Sequence, residues 1–411
     1  MKKNNCTALR HITAALGAAA GLSLFSPASS AAEVAVYGVI DTGLLYQNQS
    51  PDFEGVPEAE RSSSLSMKSG THKGSRWGLR GSEALSNGTR VSFILENGFE
   101  SDTGAILFGD RLFGRQATLA IQGAFGELAF GRMGTLTSGA GNYSLAGWLT
   151  PFDTGLGAWS VAASNYMFGF QRADNALVYI TPELNGLRLH LQYSFNADIR
   201  NDHSAEAGTQ NGEEGHASAD RYWALGATYK KGPADFAVVV DSYNWSSSLE
   251  DSLGWSPDDA LAVTAGGSWN FGAFKFYLGV QRFENAWKNW IGGGLYKINA
   301  SGDTQGTWGR DRYQDGWAIT TGTDFRAGTG LVSIGAAYLE AESSRSDDPT
   351  TSKRWGLSAA YTYPFTKRCS VYLIGSWMHD EHRNVMRDGR RIAKKHEVDG
   401  FEAATGLFLW F

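Results

Sequence analysis

Several charged residues are spaced so that they would stand on one side of an extended chain. Arg90 and Glu96 share one face of a short segment, opposite Val91, Phe93 and Leu95. Asp41 lies opposite Ile40 and Leu44. Asp153 is the only charge in the stretch 133–171, which is rich in Gly, Ser, Ala and aromatics and is preceded by Arg132 and followed by Arg172. Beside a path of water, such groups act as fixed charges that attract one sign of ion and orient dipoles. Bond-breaking chemistry has no comparable support. There is no G-x-S-x-G, H-E-x-x-H or P-loop sequence, so neither an enzyme nor a cofactor site is expected. His379 and His382 make an H-x-x-H spacing, which alone does not specify a metal site.

The elements that would position these charges are strands. Leu187, Leu189, Leu191, Tyr193 and Phe195 alternate with Arg188, His190, Gln192 and Ser194, a period of two with one wholly apolar face. Trp223–Tyr229, Phe274–Val280 and Trp355–Tyr363 repeat the pattern. Short connections fall near 83–88, 123–126, 183–186, 231–233, 270–273, 327–330 and 364–367. Long ones fall near 47–73, 100–110, 133–171, 196–219, 244–257, 285–311, 343–350 and 382–398. The two kinds alternate along the whole chain and imply sixteen strands. Short turns on one rim and long loops on the other predict an all-β, antiparallel transmembrane barrel. In lipid every backbone N–H and C=O must be satisfied internally, so such a sheet closes. At this strand number a water channel remains inside. The stretch 133–171 has neither helical nor strand periodicity and is expected to fold into that channel. Tyr46, Phe99, Phe195, Tyr229, Tyr243, Tyr338 and Phe411 sit at strand ends and are expected to form aromatic girdles.

The first residues carry Lys2, Lys3 and Arg10, then an apolar stretch, then Pro27-Ala28-Ser29-Ser30-Ala31-Ala32. This reads as a signal peptide over 1–32, with the barrel over 33–411. Removing those three cations takes the formal net charge from -6 to -9, which argues against a nucleic-acid partner. Cys6 leaves with the signal, and Cys369 alone can form no internal disulfide.

Val36-Tyr37-Gly38-Val39-Ile40-Asp41, Ser75-Arg76-Trp77-Gly78-Leu79-Arg80-Gly81, Leu95-Glu96-Asn97-Gly98-Phe99, Arg111-Leu112-Phe113-Gly114-Arg115, Phe130-Gly131-Arg132, Asp174-Asn175-Ala176 and the terminal Phe411 together resemble the Gram-negative general porins. The resemblance implies an integral outer-membrane homotrimer of sixteen-stranded barrels, with the third external loop folded inward and the terminal Phe as an assembly signal. It implies passive diffusion of small hydrophilic solutes and ions, in contact with outer-membrane lipid and lipopolysaccharide. Alternation and family position together place Arg76, Arg80, Arg115 and Arg132 towards the lumen, facing Asp153, with Glu96 and Asp41 beside them. Arg115 fits least well, because its face also holds Leu119 and Ile121 unless a bulge intervenes. Arginines outnumber acids there, which predicts a weak anion preference. A solute-specific channel is the alternative, with Tyr143, Trp148, Trp159 and Tyr166 as a sugar-stacking surface. The basic stretch 379–398 is read as a solvated external loop or one that meets lipopolysaccharide phosphates.

Overall fold

The computed structural model of the chain describes residues 33–54, 61–85, 87–109, 111–139, 141–152, 157, 159–197, 214–247, 258–287, 313–344, 349–387 and 390–411. Its strands are β1 (Glu33–Phe53), β2 (Ser62–Ser69), β3 (Arg76–Ala84), β4 (Arg90–Gly98), β5 (Gln116–Gly123), β6 (Gly126–Gly134), β7 (Arg172–Ile180), β8 (Leu187–Ser194), β9 (Arg221–Lys231), β10 (Ala234–Asn244), β11 (Ala260–Asn270), β12 (Phe274–Trp287), β13 (Tyr313–Ala327), β14 (Gly330–Ser343), β15 (Thr351–Pro364), β16 (Cys369–Arg387) and β17 (Arg390–Trp410). Each pairs antiparallel with its neighbours. β17 returns to β1 with Val39 opposite Trp410, which closes the sheet. β2 lies beside the far half of β1 and β3 beside its first half, so the two fill one place in the wall. The described strands therefore make a closed barrel of sixteen positions, as the loop alternation predicts. All seven short turns fall where expected.

The faces explain why this sheet needs lipid. On β8 Leu187, Leu189 and Leu191 are exposed, whereas His190, Gln192 and Ser194 are buried. On β12 Phe274, Phe276, Leu278 and Val280 point out. Exposed apolar side chains run round the wall from Ile40 on β1 to Leu409 on β17. Water would penalise that surface heavily, and a bilayer covers it. Among the described residues no helix is long and apolar enough to cross a membrane, and the strands do the crossing. Trp317, Tyr338 and Trp355 form a continuous outer aromatic band, with ring centroids 5.1 and 5.4 Å apart. Tyr243 is a correction. It shares the inward face of Val239 and Asp241, is 1% exposed, and donates to Asp220 Oδ2 at 2.9 Å rather than joining a girdle.

Two long connections are shorter than the sequence implies. β1 continues to Phe53 and β2 begins at Ser62, so most of 47–73 is strand. The stretch 382–398 is largely a paired hairpin of β16 and β17, with Arg383 opposite Lys395. The polarity that marks a loop in a soluble sheet here marks strand that has risen out of the bilayer.

The break between β2 and β3 depends on Asp41. Gly70 turns there with φ +65°, a conformation glycine adopts without a Cβ penalty. Asp41 Oδ2 accepts the backbone N–H groups of His72 (2.9 Å) and Lys73 (2.6 Å), and Oδ1 accepts the Tyr372 hydroxyl at 2.8 Å. Asp41 therefore faces inward as expected, but it is fully buried and acts as a strut. Asp41→Ala removes the acceptor of three donors, the buried Tyr372 hydroxyl and two half-buried backbone N–H groups. It is expected to lower barrel stability by about 3 kcal/mol or more, read as the urea midpoint of unfolding in detergent. An unchanged midpoint would remove Asp41 from this role.

Candidate functional site

The described residues of the connection between β6 and β7 (135–139, 141–152, 157 and 159–171) lie inside the barrel, with a 3-10 turn at Ala146–Leu149 and one helical turn at Ala163–Tyr166. Its Leu136, Leu149, Phe152, Val161 and Tyr166 are buried. The wall makes room for them with glycines. Gly266 and Gly279 lie behind Leu149, Gly322 behind Pro151, Gly335 behind Phe152 and Val161, and Gly356 behind the Tyr166 hydroxyl. Any side chain at Gly356 would collide with that hydroxyl. Polar anchors hold the loop along the same arc. Thr137 donates to Asp241 (2.7 Å), the Phe168 N–H to Gln281 Oε1 (2.7 Å), the Trp159 N–H to Glu402 Oε1 (2.9 Å) and the Val161 N–H to Ser358 Oγ (3.1 Å). Arg354 forms a two-pronged pair with Asp380 at 2.7 and 2.8 Å and donates to the Asn165 carbonyl. The loop thus leans on β10–β17, and its Gly157 N–H reaches the Thr71 carbonyl beside β1. Burial raises the pKa values of the Tyr143 and Tyr166 hydroxyls and keeps both phenols protonated. Tyr143 also donates to Glu127 at 2.9 Å.

The arginines stand on the remaining arc. Arg76 and Arg80 lie on the inward face of β3. The Arg80 guanidinium is 5.1 Å from the Tyr37 ring centroid, and that of Arg76 is 5.0 Å from the Trp410 ring. Stacking fixes a guanidinium plane. Arg76 Nη1 also donates to the Gly74 carbonyl at 2.9 Å, whereas Arg80 is exposed. Glu96 on β4 accepts from Arg115 Nε at 2.7 Å and from the Tyr37 hydroxyl at 2.9 Å, with Arg76 Nε at 3.6 Å. Asp174 on β7 takes Arg132 at 2.5 Å and Arg111 at 2.9 Å, one on each oxygen. Arg172 sits over the Phe108 ring at 4.2 Å and donates to the Arg115 carbonyl. The cluster thus sets the guanidiniums of Arg76, Arg80, Arg111, Arg115, Arg132 and Arg172 against the carboxylates of Glu96 and Asp174, and among these described groups positive charge is in excess.

The expected set therefore divides. Arg76, Arg80, Arg115, Arg132 and Glu96 come together. Arg80 is exposed, whereas the Arg115 and Arg132 side chains are only 14% and 13% exposed and are tied into pairs. Arg115 escapes the outward face of Leu119 because it precedes β5 rather than lying in it. Arg132 shares the parity of outward-facing Phe130 and is turned inward by a register shift between Gly131 and Met133. Gly131 adopts φ +123° there, and a glycine directly before the arginine was the available hint. Asp153 lies outside the described residues. Arg111, Arg172, Asp174, Tyr37 and Trp410 complete the cluster and are not predicted by alternation. Asp174→Asn removes the charge that two guanidiniums share. It is expected to strengthen anion preference and to cost about 3 kcal/mol or more of stability, measured by reversal potential and by unfolding midpoint.

The sequence profile of the Gram-negative porins matches residues 14–382. The chain is 32% identical to an outer membrane porin protein of Bordetella pertussis, over 88% of this chain and 92% of that one. In fold it is similar to the anion-selective porin from Comamonas acidovorans, with a TM-score of 0.63 and 20% identity, covering 93% of this chain and all of the other. It is also similar to the trimer form of OmpT from Vibrio cholerae, with a TM-score of 0.51 and 13% identity, covering 93% and 100%. An inward loop, a lipid-facing wall and a charged lumen belong together in that setting: the chain is a member of the Gram-negative porin family, integral β-barrels of the outer membrane through which small hydrophilic solutes diffuse passively.

Proposed function

We propose that solutes pass between the inward loop and the arginine-bearing arc, and that Arg76 and Arg80 give this path a weak anion preference. The observation that carries the reading is the pair of stacked guanidiniums on one strand face, in a cluster whose described arginines outnumber its described carboxylates. Charges at a narrow point outweigh those at the rims, because field lines are focused there and screened within about 10 Å elsewhere. Asp41, Glu96, Arg115 and Arg132 support the constriction from behind. Residues 1–32 serve as the export signal, and 33–411 form the barrel. Three barrels associate, in line with the trimeric OmpT relative in fold, and the outer wall meets lipid and lipopolysaccharide. The solute-specific alternative gains no support from Tyr143 and Tyr166, which are buried instead of facing the water path; Trp159 is half-buried with its ring against Gly400, and the Trp148 side chain lies outside the described residues. Liposomes carrying the protein should swell in small sugars and not in large ones. Absence of swelling at every size would reject a diffusion channel.

A further inference from the structure

β2 has a strand on one side of it only. Its ladder runs along β1, from Ser69 opposite Thr42 to Ser62 opposite Gln49. On the other side β4 reaches only as far as Gly98, opposite Arg76 on β3. Beyond that ladder the Phe99 N–H donates to the Ser75 carbonyl, and Ser101 ties the foot of β2, its N–H donating to Ser69 Oγ at 2.7 Å. Among the described residues no strand pairs with the second edge of Ser62–Lys68, and every residue of that run is exposed. Each other described strand is paired on both sides.

Depth makes this edge untenable in a lone barrel. Leu65 stands opposite Tyr46 and Met67 opposite Leu44. All four are exposed, Leu65 by 69% and Met67 by 59%. The edge from Leu65 to Lys68 is therefore level with the apolar outer wall. Hydrocarbon offers no partner to backbone N–H and C=O groups, and open sheet edges do not occur in it. Protein must cover this one.

Symmetry chooses the surface that does so. Pairing of β2 with the same strand of a second copy makes a two-fold dimer, whereas a ring of three needs two different surfaces that fit each other. The second surface lies beside the first. A groove of about 290 Å³ opens there, lined by Trp77, Asn97, Phe99, Gly104, Ile106 and Leu112. Asn97 Nδ2 donates to the Leu112 carbonyl at 2.6 Å and fixes its shape, while Trp77, Ile106 and Leu112 remain exposed. A mostly apolar hollow of this kind suits aliphatic side chains. We propose that the open edge of β2 is closed by a second copy of this chain, with Leu65 and Met67 seated in that copy's groove at Trp77, Ile106 and Leu112. The inference rests on the association of three barrels, and it does not depend on conduction.

The test uses the full barrel purified in detergent, with p-benzoylphenylalanine placed singly at Leu65, at Met67 or, on β12 across the barrel, at Leu278. Illumination should join chains from the first two positions, with the attachment mapped by mass spectrometry to 97–112, and should join none from Leu278. Leu65→Asn with Met67→Asn should weaken the trimer roughly tenfold or more in sedimentation, while each barrel keeps its compact, heat-sensitive gel migration. Joining from Leu278 alone, attachment to a different segment, or a double variant as firmly trimeric as the native protein would each overturn the proposal. A native protein that sediments as single chains would reject the association of barrels itself, and this interface with it.

Discussion

Replacing both Arg76 and Arg80 with glutamate is expected to turn the channel from weakly anion-preferring to cation-preferring. Both side chains stand on the inward face of β3, stacked on Trp410 and Tyr37. Reversing two charges beside a narrow water path should change the anion-to-cation permeability ratio by roughly tenfold, the equivalent of about 1.4 kcal/mol between ions of opposite sign. The same change at Arg115 and Arg132 should act differently. Those side chains are held by Glu96 and Asp174, so glutamate in their place sets a second carboxylate against each buried one and lowers stability first. Arg76 lies at the edge of this group, 3.6 Å from Glu96, so Arg76→Glu with Arg80→Glu should lose some stability yet fold and conduct with the opposite selectivity. A double variant that conducts with unaltered reversal potential would place the selectivity filter elsewhere.

The second large effect concerns the loop. Deleting 139–163 should raise single-channel conductance about twofold or more, because conduction is limited at the narrowest cross-section. The loop fills its arc through specific contacts, with Leu149 against Gly266 and Gly279, Val161 against Gly335 and Tyr166 against Gly356. Glycines at these points keep the loop close to the wall, so removing it exposes a smooth groove rather than a new obstruction. The barrel should still close, since the β1–β17 seam and the wall ladders do not pass through the loop. An unchanged conductance would mean that the loop does not limit flow.

The fold was legible because lipid and lumen impose a strict period of two, and because the two rims impose different loop lengths. Leu187–Ser194 shows the first and the seven short turns show the second. Strand length was less legible. β16 and β17 run on past the bilayer, where outward positions such as Glu381 and Lys395 lose their apolar requirement and read as loop. The site was legible only as sign and side. Alternation gave Arg76 and Arg80 their face, but an isolated bulge at Gly131 reversed the parity of Arg132. Partnership was invisible. Asp41 meets Tyr372, and Arg132 meets Asp174 across a register that periodicity does not encode. A carboxylate that lines water and one that pins a turn look alike in sequence.

The most direct test of the central claim is planar-bilayer recording of the purified protein across a KCl gradient. An open trimeric porin with an arginine-controlled lumen predicts ohmic steps that close in threes, with a reversal potential of the sign set by chloride. Absent steps, or a reversal potential set by potassium, would contradict it.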